Sequence, residues 1–268
     1  MEDKIKVSVL IVTYNHSRFI KEAMDSALMQ QTKYKYEIVV MNDHSSDNTF
    51  KILKMYKLKY GDKIRIFNNS KNFGITKNYK LGFEKCRGEY IAVLEGDDYW
   101  NNRKKLQIQS DFLDKHRNYS AVFNRYIIYD AAKNLKTVIP WQYRYSEYKK
   151  ITINDLTIRN VIGNFSACMY RKSIVEQLKK SLYNMVTYDW MFNMAVSEKA
   201  PIAYLPQVTS VYRIHRGGVW SGIDKESRLK MVMKQIDDYD KFFGFKYSRN
   251  FNFLKKGIYD ELIRLKNK

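Results

Sequence analysis

Four short, largely apolar runs punctuate the first hundred residues, at 7–12, 36–41, 64–67 and 90–94, the last of them apolar throughout and without alternation. Runs of this kind suit strands covered on both faces, as the strands of a parallel sheet are. Helical spacing fills the gaps. Ile20, Ala23, Met24, Ala27 and Leu28 recur on one apolar face, with Ser17 the expected N-cap. Phe50, Leu53 and Tyr56 point inward from a second helix, and a third runs from the 71–76 turn to about Lys85, where Arg87-Gly88 breaks it. Strand and helix thus alternate four times, which predicts a parallel sheet with right-handed crossovers.

The second half is less regular. A helix from Arg103 carries Leu106, Phe112 and Leu113 and precedes a strand at 121–129. Residues 131–150 are polar and aromatic, with Trp141, Tyr143, Tyr145 and Tyr148. They read as a mobile lid, an acceptor platform or an ordinary packed insertion. Thr187-Tyr188-Asp189-Trp190 opens a helix. Residues 203–205 and 208–212 read as a hairpin turned at Pro206-Gln207, and two helices are expected beyond Asp224.

The polar ends of the strands change the picture from fold to chemistry. The first, second and fourth runs end in Thr13-Tyr14-Asn15, Asn42-Asp43 and Glu95-Gly96-Asp97-Asp98. If those strands are neighbours, the ends meet along one rim, where open α/β sheets bind ligands. Three carboxylates at one strand end repel one another unless a cation joins them, and hard oxygen donors suit Mg²⁺ or Mn²⁺. The plain alternative is an acidic turn that ends a strand and caps a helix. No Gly-x-Gly-x-x-Gly follows the first strand and no phosphate loop is present, so any nucleotide is held by another device.

Composition narrows the classes. At 268 residues and 45% hydrophobic, the chain can form one large α/β domain or a domain with an appendage. No stretch approaches the ~18 apolar residues of a membrane span. The start, Met-Glu-Asp-Lys, does not read as a secretory signal. Cys86 and Cys168 have no partner spacing and suggest reduced thiols in a cytoplasmic protein. A net charge of +20 implies an anionic partner or a generally lysine-rich surface. No nucleic-acid motif accompanies it.

The residues 7–15 (Val-Ser-Val-Leu-Ile-Val-Thr-Tyr-Asn), 36–49 (Tyr-Glu-Ile-Val-Val-Met-Asn-Asp-His-Ser-Ser-Asp-Asn-Thr), Asn72-Phe-Gly74 and Gly88-Glu-Tyr-Ile91 resemble, in order and spacing, the family 2 glycosyltransferases. The resemblance covers most of residues 5–215. It implies a GT-A fold: a Rossmann-like, mostly parallel sheet flanked by helices, here with a helical C-terminal extension. It also implies inverting transfer of a sugar from a nucleoside diphosphate donor, taken as UDP-linked, with Mn²⁺ or Mg²⁺. The acceptor is expected to be a glycan or a lipid-linked molecule in bacterial surface polysaccharide synthesis. Residues 1–222 form the expected transferase domain, with a nucleotide half at 1–100 and an acceptor half at 101–222. Residues 223–268 form a basic aromatic extension that suits an anionic membrane surface or packs on the domain. The expected site is cytoplasmic, peripheral at the inner face of the membrane.

Thr13, Tyr14, Asn15, Asp43, Asn72, Asn78, Glu95 and Asp97 are then the expected nucleotide and donor contacts, and Asp98 and His215 the metal ligands. Asp189 is the general base, and Arg213 or Arg216 could neutralise the leaving group. Three positions depart from the family pattern: Val12 where Pro is frequent, Asn42 for a first Asp, and Glu95 for the leading Asp of the acidic motif. Two competitors were weighed. A nucleotidyltransferase needs a glycine-rich basic loop that is missing here. A non-catalytic basic module for nucleic acid or anionic glycan would bind in a salt-sensitive way without turnover.

Overall fold

A computed structural model describes residues 4–139, 147–218 and 223–267. The expected alternation is present: β1 (Val7–Thr13), α1 (Ile20–Leu28), β2 (Tyr36–Asn42), α2 (Thr49–Tyr60), β3 (Ile64–Asn68), α3 (Ile75–Lys85) and β4 (Tyr90–Glu95). The chain continues through β5 (Tyr99–Trp100), α4 (Lys105–Lys115), β6 (Ala121–Asp130), β7 (Leu135–Ile139), β8 (Lys149–Ile151), α5 (Ile153–Ile158), β9 (Cys168–Arg171) and α6 (Lys172–Val175). It ends with α7 (Asp189–Lys199), β10 (Ile202–Ile214), α8 (Lys225–Phe242) and α9 (Ser248–Lys266).

One sheet runs β3-β2-β1-β4-β9-β6-β10-β5, with β7 beside β6 and β8 beside β10. Its first four strands are parallel, and β9 enters antiparallel to both β4 and β6. Every residue of β1 is buried, as expected for a strand with helices on both faces. Two apolar layers result. Ile20, Ala23, Met24 and Leu53 cover one face of the sheet. Tyr79, Phe83, Phe192, Tyr239 and Phe251 belong to the cluster on the other.

The register sets the site. Thr13 pairs with Asn42 and Val12 with Glu95, so β1, β2 and β4 end at one level. Gly96 lets those ends approach. A Cβ there would lie 2.6 Å from Thr13 Oγ1 and 2.9 Å from His16 Nδ1, well inside contact distance.

Two expectations differ from the structure, and a third is decided between its alternatives in favour of a packed insertion. The hairpin at Pro206-Gln207 is one continuous strand, β10, parallel to β6 along its length. Register shifts between Leu205 and Val208, and between Val208 and Ser210, absorb the proline. A bulge tolerates a residue without an N–H, so the chain need not turn back. Ser17 does not cap α1, which starts at Ile20; its backbone N–H donates instead to Asp47 Oδ2 (2.9 Å). In the 131–150 stretch, β7 and β8 are ordinary sheet strands, and Tyr148 packs among Phe112, His116 and Tyr119. Trp141, Tyr143 and Tyr145 lie outside the described residues.

The two C-terminal helices pack back on the domain. Ile236, Tyr239, Phe243, Phe251 and Ile258 join the second apolar layer, and Asn250 Nδ2 donates to Thr157 Oγ1 (2.8 Å). Asp224 caps α8 by accepting from the Ser227 N–H (2.9 Å).

Candidate active site

The aligned strand ends open into a cavity of ≈ 300 Å³ lined by Thr13, Tyr14, His16, Asp43, Asn72, Asn78, Glu95 and Asp97. A second cavity of ≈ 80 Å³ adjoins it, sharing Ile75, Glu95, Asp97 and Gly218, and adds Asn164, Tyr188, Asp189, Tyr212 and Arg213.

Each residue expected to contact the donor has a distinct setting. Tyr14 is 43% exposed and presents an aromatic face at the cavity mouth. Asp43 is buried and organises the 72–74 turn: Oδ1 accepts from Asn69 Nδ2 (2.7 Å) and the Phe73 N–H (2.9 Å), and Oδ2 from the Gly74 N–H (2.8 Å). Oδ2 thus keeps capacity for a further donor. Asn72 Oδ1 also accepts from the Gly74 N–H (2.9 Å). Asn78 is buried and committed, accepting from Asn69 and donating to the Met41 carbonyl. Asn15 does not line the cavity. With φ 54, it ties the β1–α1 loop to the β2–α2 loop through the Ser46 N–H and Ser45 Oγ.

The acidic turn separates its members by direction. The Asp98 N–H donates to the Glu95 carbonyl (3.0 Å), which turns Asp97 outward and Asp98 inward. Asp98 is fully buried and lines neither cavity. Its carboxylate accepts from Asn164 Nδ2 (3.1 Å), Ser166 Oγ (2.6 Å) and the Arg213 N–H (3.0 Å). Burial, with Asp97 nearby, pushes its carboxyl up to about 7. Asp97 faces both cavities. Its Oδ2 lies 3.0 Å from His215 Nε2 and 3.6 Å from His16 Nε2. Burial works to raise its pKa, but the His215 hydrogen bond and both imidazoles hold it below the usual carboxylate range. Glu95 accepts from Tyr79 Oη (3.1 Å) and is raised well above the usual range by burial and by Asp98, Asp97 and Asp189.

The smaller cavity is built around Asp189, the first residue of α7. Burial raises its carboxyl, while Asn160 and the backbone N–H groups of Trp190 and Asp189 act the other way. Arg213 does not reach the larger cavity. Its guanidinium is held by Glu22 and the Asp97 carbonyl, and stacks on Tyr99 at 4.5 Å. Arg216 is exposed.

The sequence assigns His16, Asn160, Asn164 and Ser166 no individual role. The 160–166 segment resembles the acceptor-side segment of the family, but no spacing links it to the acids it supports. His16 lies in the polar end of β1, where the missing glycines are the visible signal. Thr13 Oγ1 and His16 Nδ1, both buried at the cavity, have no hydrogen-bond partner among the described residues.

Comparison with known proteins settles the family. The family model described as Glycosyl transferase family 2 matches residues 8–179. The chain belongs to glycosyl transferase family 2. An uncharacterized protein of Mycobacterium tuberculosis is 31% identical over 217 residues, which cover 80% of this chain and 60% of that relative. An uncharacterized glycosyltransferase of Rickettsia typhi is 28% identical over 265 residues, 97% of this chain and 75% of the relative. The chain thus spans about three-fifths of the mycobacterial relative's length. Among solved structures, Staphylococcus aureus TarS 1–349 in complex with UDP-GlcNAc superposes with a TM-score of 0.66 at 18% identity, covering 94% of this chain and 74% of that one. The mannosyltransferase PcManGT of Pyrobaculum calidifontis, in complex with GDP-Man and Mn²⁺, has a TM-score of 0.64 at 15% identity and covers 89% and 65%. These likenesses establish the shared fold. The matched family span of this glycosyl transferase family 2 chain ends before Asp189 and His215, so their setting rests on the geometry above.

Proposed function

We propose that the chain is a metal-dependent, inverting glycosyltransferase that uses a UDP-linked sugar and acts on a glycan or lipid-linked hydroxyl in bacterial surface polysaccharide synthesis. The observation that carries this reading is the pair of adjoining cavities: Tyr14, Asp43 and Asp97 line one, Asp189 lines the other, and Glu95 and Asp97 belong to both. Tyr14 stacks on the base and Asp43 Oδ2 accepts its ring N–H. The acceptor oxygen bonds to the anomeric carbon as the bond from that carbon to the diphosphate breaks. Asp189 takes the hydroxyl proton. No enzyme nucleophile takes part, so configuration inverts. UDP-GlcNAc in one fold neighbour and GDP-Man with Mn²⁺ in another support a nucleotide-sugar donor and a divalent cation.

Asp97 and His215 would hold that cation. The pair fits because it sets an imidazole 3.0 Å from a carboxylate that lines both cavities. Among the described residues no group of three or more His, Cys, Asp or Glu is placed to hold a metal. Mg²⁺ and Mn²⁺ favour oxygen donors, so the Asp97 carboxylate would be the principal protein ligand, with donor phosphates supplying others. When bound, the cation offsets charge building on the leaving diphosphate. Asp98, first expected as the ligand, serves in this reading as the buried anchor of the turn that aims Asp97.

Residues 1–222 form the transferase unit of the proposal and 223–268 its extension. No described helix is long and apolar enough to cross a membrane. α9 leaves Phe253, Tyr259 and Ile263 exposed beside Lys256 and Arg264, which suits contact with an anionic bilayer carrying the acceptor, at the cytoplasmic face. A panel of nucleotide sugars screened for turnover with and without Mn²⁺ tests the whole reading. Metal-stimulated release of UDP from one donor is expected. A folded protein that turns over none of them and binds no UDP by calorimetry defeats it.

A further inference from the structure

Asp189 is held by a neighbour that nothing above assigns a part in the reaction. Asn160 Nδ2 donates to Asp189 Oδ2 (3.2 Å), while Asn160 Oδ1 accepts from the Gly163 N–H (3.0 Å). These partners fix the amide's orientation. A flipped amide would set its oxygen against a carboxylate and its NH₂ against an N–H. The support beneath is also fixed. Gly163 has φ +65, and a Cβ there would lie 2.7 Å from Tyr126 Oη, so the 160–163 turn is a glycine turn pressed against β6. Gly163 and Asn164, at the end of that turn, line the same ≈ 80 Å³ cavity as Asp189.

We propose that Asn160 is the positioning residue for Asp189: it binds Oδ2 and holds the carboxylate in one orientation toward the acceptor hydroxyl. The inference rests on the reading of Asp189 as the base. A base with one tethered oxygen cannot rotate its carboxylate freely, so the proton-accepting lone pair keeps one direction relative to the cavity. The tether also favours the ionised carboxylate, against the burial that raises it.

Other groups facing Asp189 bear on the test. Glu95 comes from β4, Tyr126 from β6, Cys168 and Tyr170 from β9, Tyr212 from β10 and Tyr239 from α8. Asp97 and Arg213 line the same cavity. The thiol and the phenols are raised by burial and stay neutral near pH 7. Arg213 stays charged. Glu95 and Asp97 are therefore the facing acids that can also change charge, and the Asp189 signal must be followed by itself.

The full chain labelled with ¹³C at aspartate carboxyls is titrated by NMR, with the Asp189 signal assigned by its loss in Asp189→Asn. Asn160→Ala removes the donor to Asp189 and the acceptor for Gly163. Asn160→Asp keeps an oxygen for the Gly163 N–H and replaces the donor with a second carboxylate. It therefore separates positioning from loop support. The midpoint of Asp189 is expected to rise about tenfold in proton affinity in Asn160→Ala and further in Asn160→Asp. UDP affinity with Mn²⁺ should stay within about twofold, and the acid limb of turnover of the donor found in the panel should move with the midpoint. An unmoved Asp189 midpoint in folded Asn160→Asp overturns the inference and leaves the base reading intact. Full sugar transfer by Asp189→Asn overturns the base reading itself, whatever the titration shows.

Discussion

The two ends of the parallel sheet carry the same residue type in opposite circumstances. At the start of β2, Glu37 is buried, 2% exposed. Its carboxylate accepts from Ser8 Oγ (2.7 Å), the Arg87 N–H (2.9 Å), Arg87 Nη2 (2.8 Å) and Arg65 Nη1 (3.0 Å). Burial opposes ionisation, yet these donors hold the carboxyl below the usual range. At the end of β4, Glu95 accepts from the Tyr79 hydroxyl and has three acids around it, and its carboxyl is raised well above the usual range. The protein compensates the first acid and leaves the second for something else to compensate. Uncompensated acids around a cavity mark a place where a ligand completes the electrostatics.

The comparison breaks first at the chemistry. Asp189→Asn should retain UDP binding with Mn²⁺ within about twofold and lose about a thousandfold in transfer rate, in the range of a removed general base. Asp97→Ala should weaken metal-dependent UDP binding about a hundredfold, or about 2.7 kcal/mol by calorimetry; equal affinity with and without the metal would remove Asp97 as a ligand. Asp98→Ala should act differently from its neighbour. It strips the acceptor from three buried donors, so the protein should lose on the order of 3 kcal/mol in chemical denaturation.

At the other end of the sheet, Glu37→Gln should cost about 2 kcal/mol near neutral pH. A buried pair that loses one partner is expensive, but Arg87 is half-exposed and its share is screened. The sign with pH follows from linkage. The folded pKa is depressed, so the stabilisation is present above the usual glutamate range and fades as pH falls through the folded value. The gap between wild type and Glu37→Gln should therefore close in acid. Urea midpoints at neutral pH and at about pH 3 measure it. A gap that widens in acid contradicts the compensation described here.

Much of this layout was legible because parallel strands leave a plain signature. Largely apolar runs announced β1 to β4, and the register that levels Thr13, Asn42 and Glu95 follows from strands that begin and end together. What was not legible depended on direction, not identity. Asp97 and Asp98 are adjacent acids, and only the turn closed by Glu95 decides which looks outward. The β10 bulge was invisible because Pro206-Gln207 satisfies a hairpin turn as well as a bulge. The missing information was that β6 runs beside both halves. Asn160 meets Asp189 across 29 residues of chain with no periodicity to connect them. Side chains that act through another side chain leave little trace in a pattern of apolar spacings.

The smallest effect is also the most discriminating. Glu95→Gln removes one charge from the acid cluster while keeping a similar shape and a group that can pair with the Tyr79 hydroxyl. Glu95 has a folded pKa above its unfolded value, so the native state holds its proton more tightly. Stability then falls as pH rises from the unfolded pKa toward the folded one, the opposite slope to Glu37. The variant should accordingly be more stable than wild type at neutral pH and indistinguishable from it in acid, where Glu95 is already protonated. Mn²⁺ with UDP should narrow the difference, because bound positive charge near Asp97 relieves the same repulsion that the substitution relieves. A Glu95→Gln protein that is less stable at neutral pH would mean that the carboxylate is compensated after all, and the contrast between the two ends of the sheet would lose its physical basis.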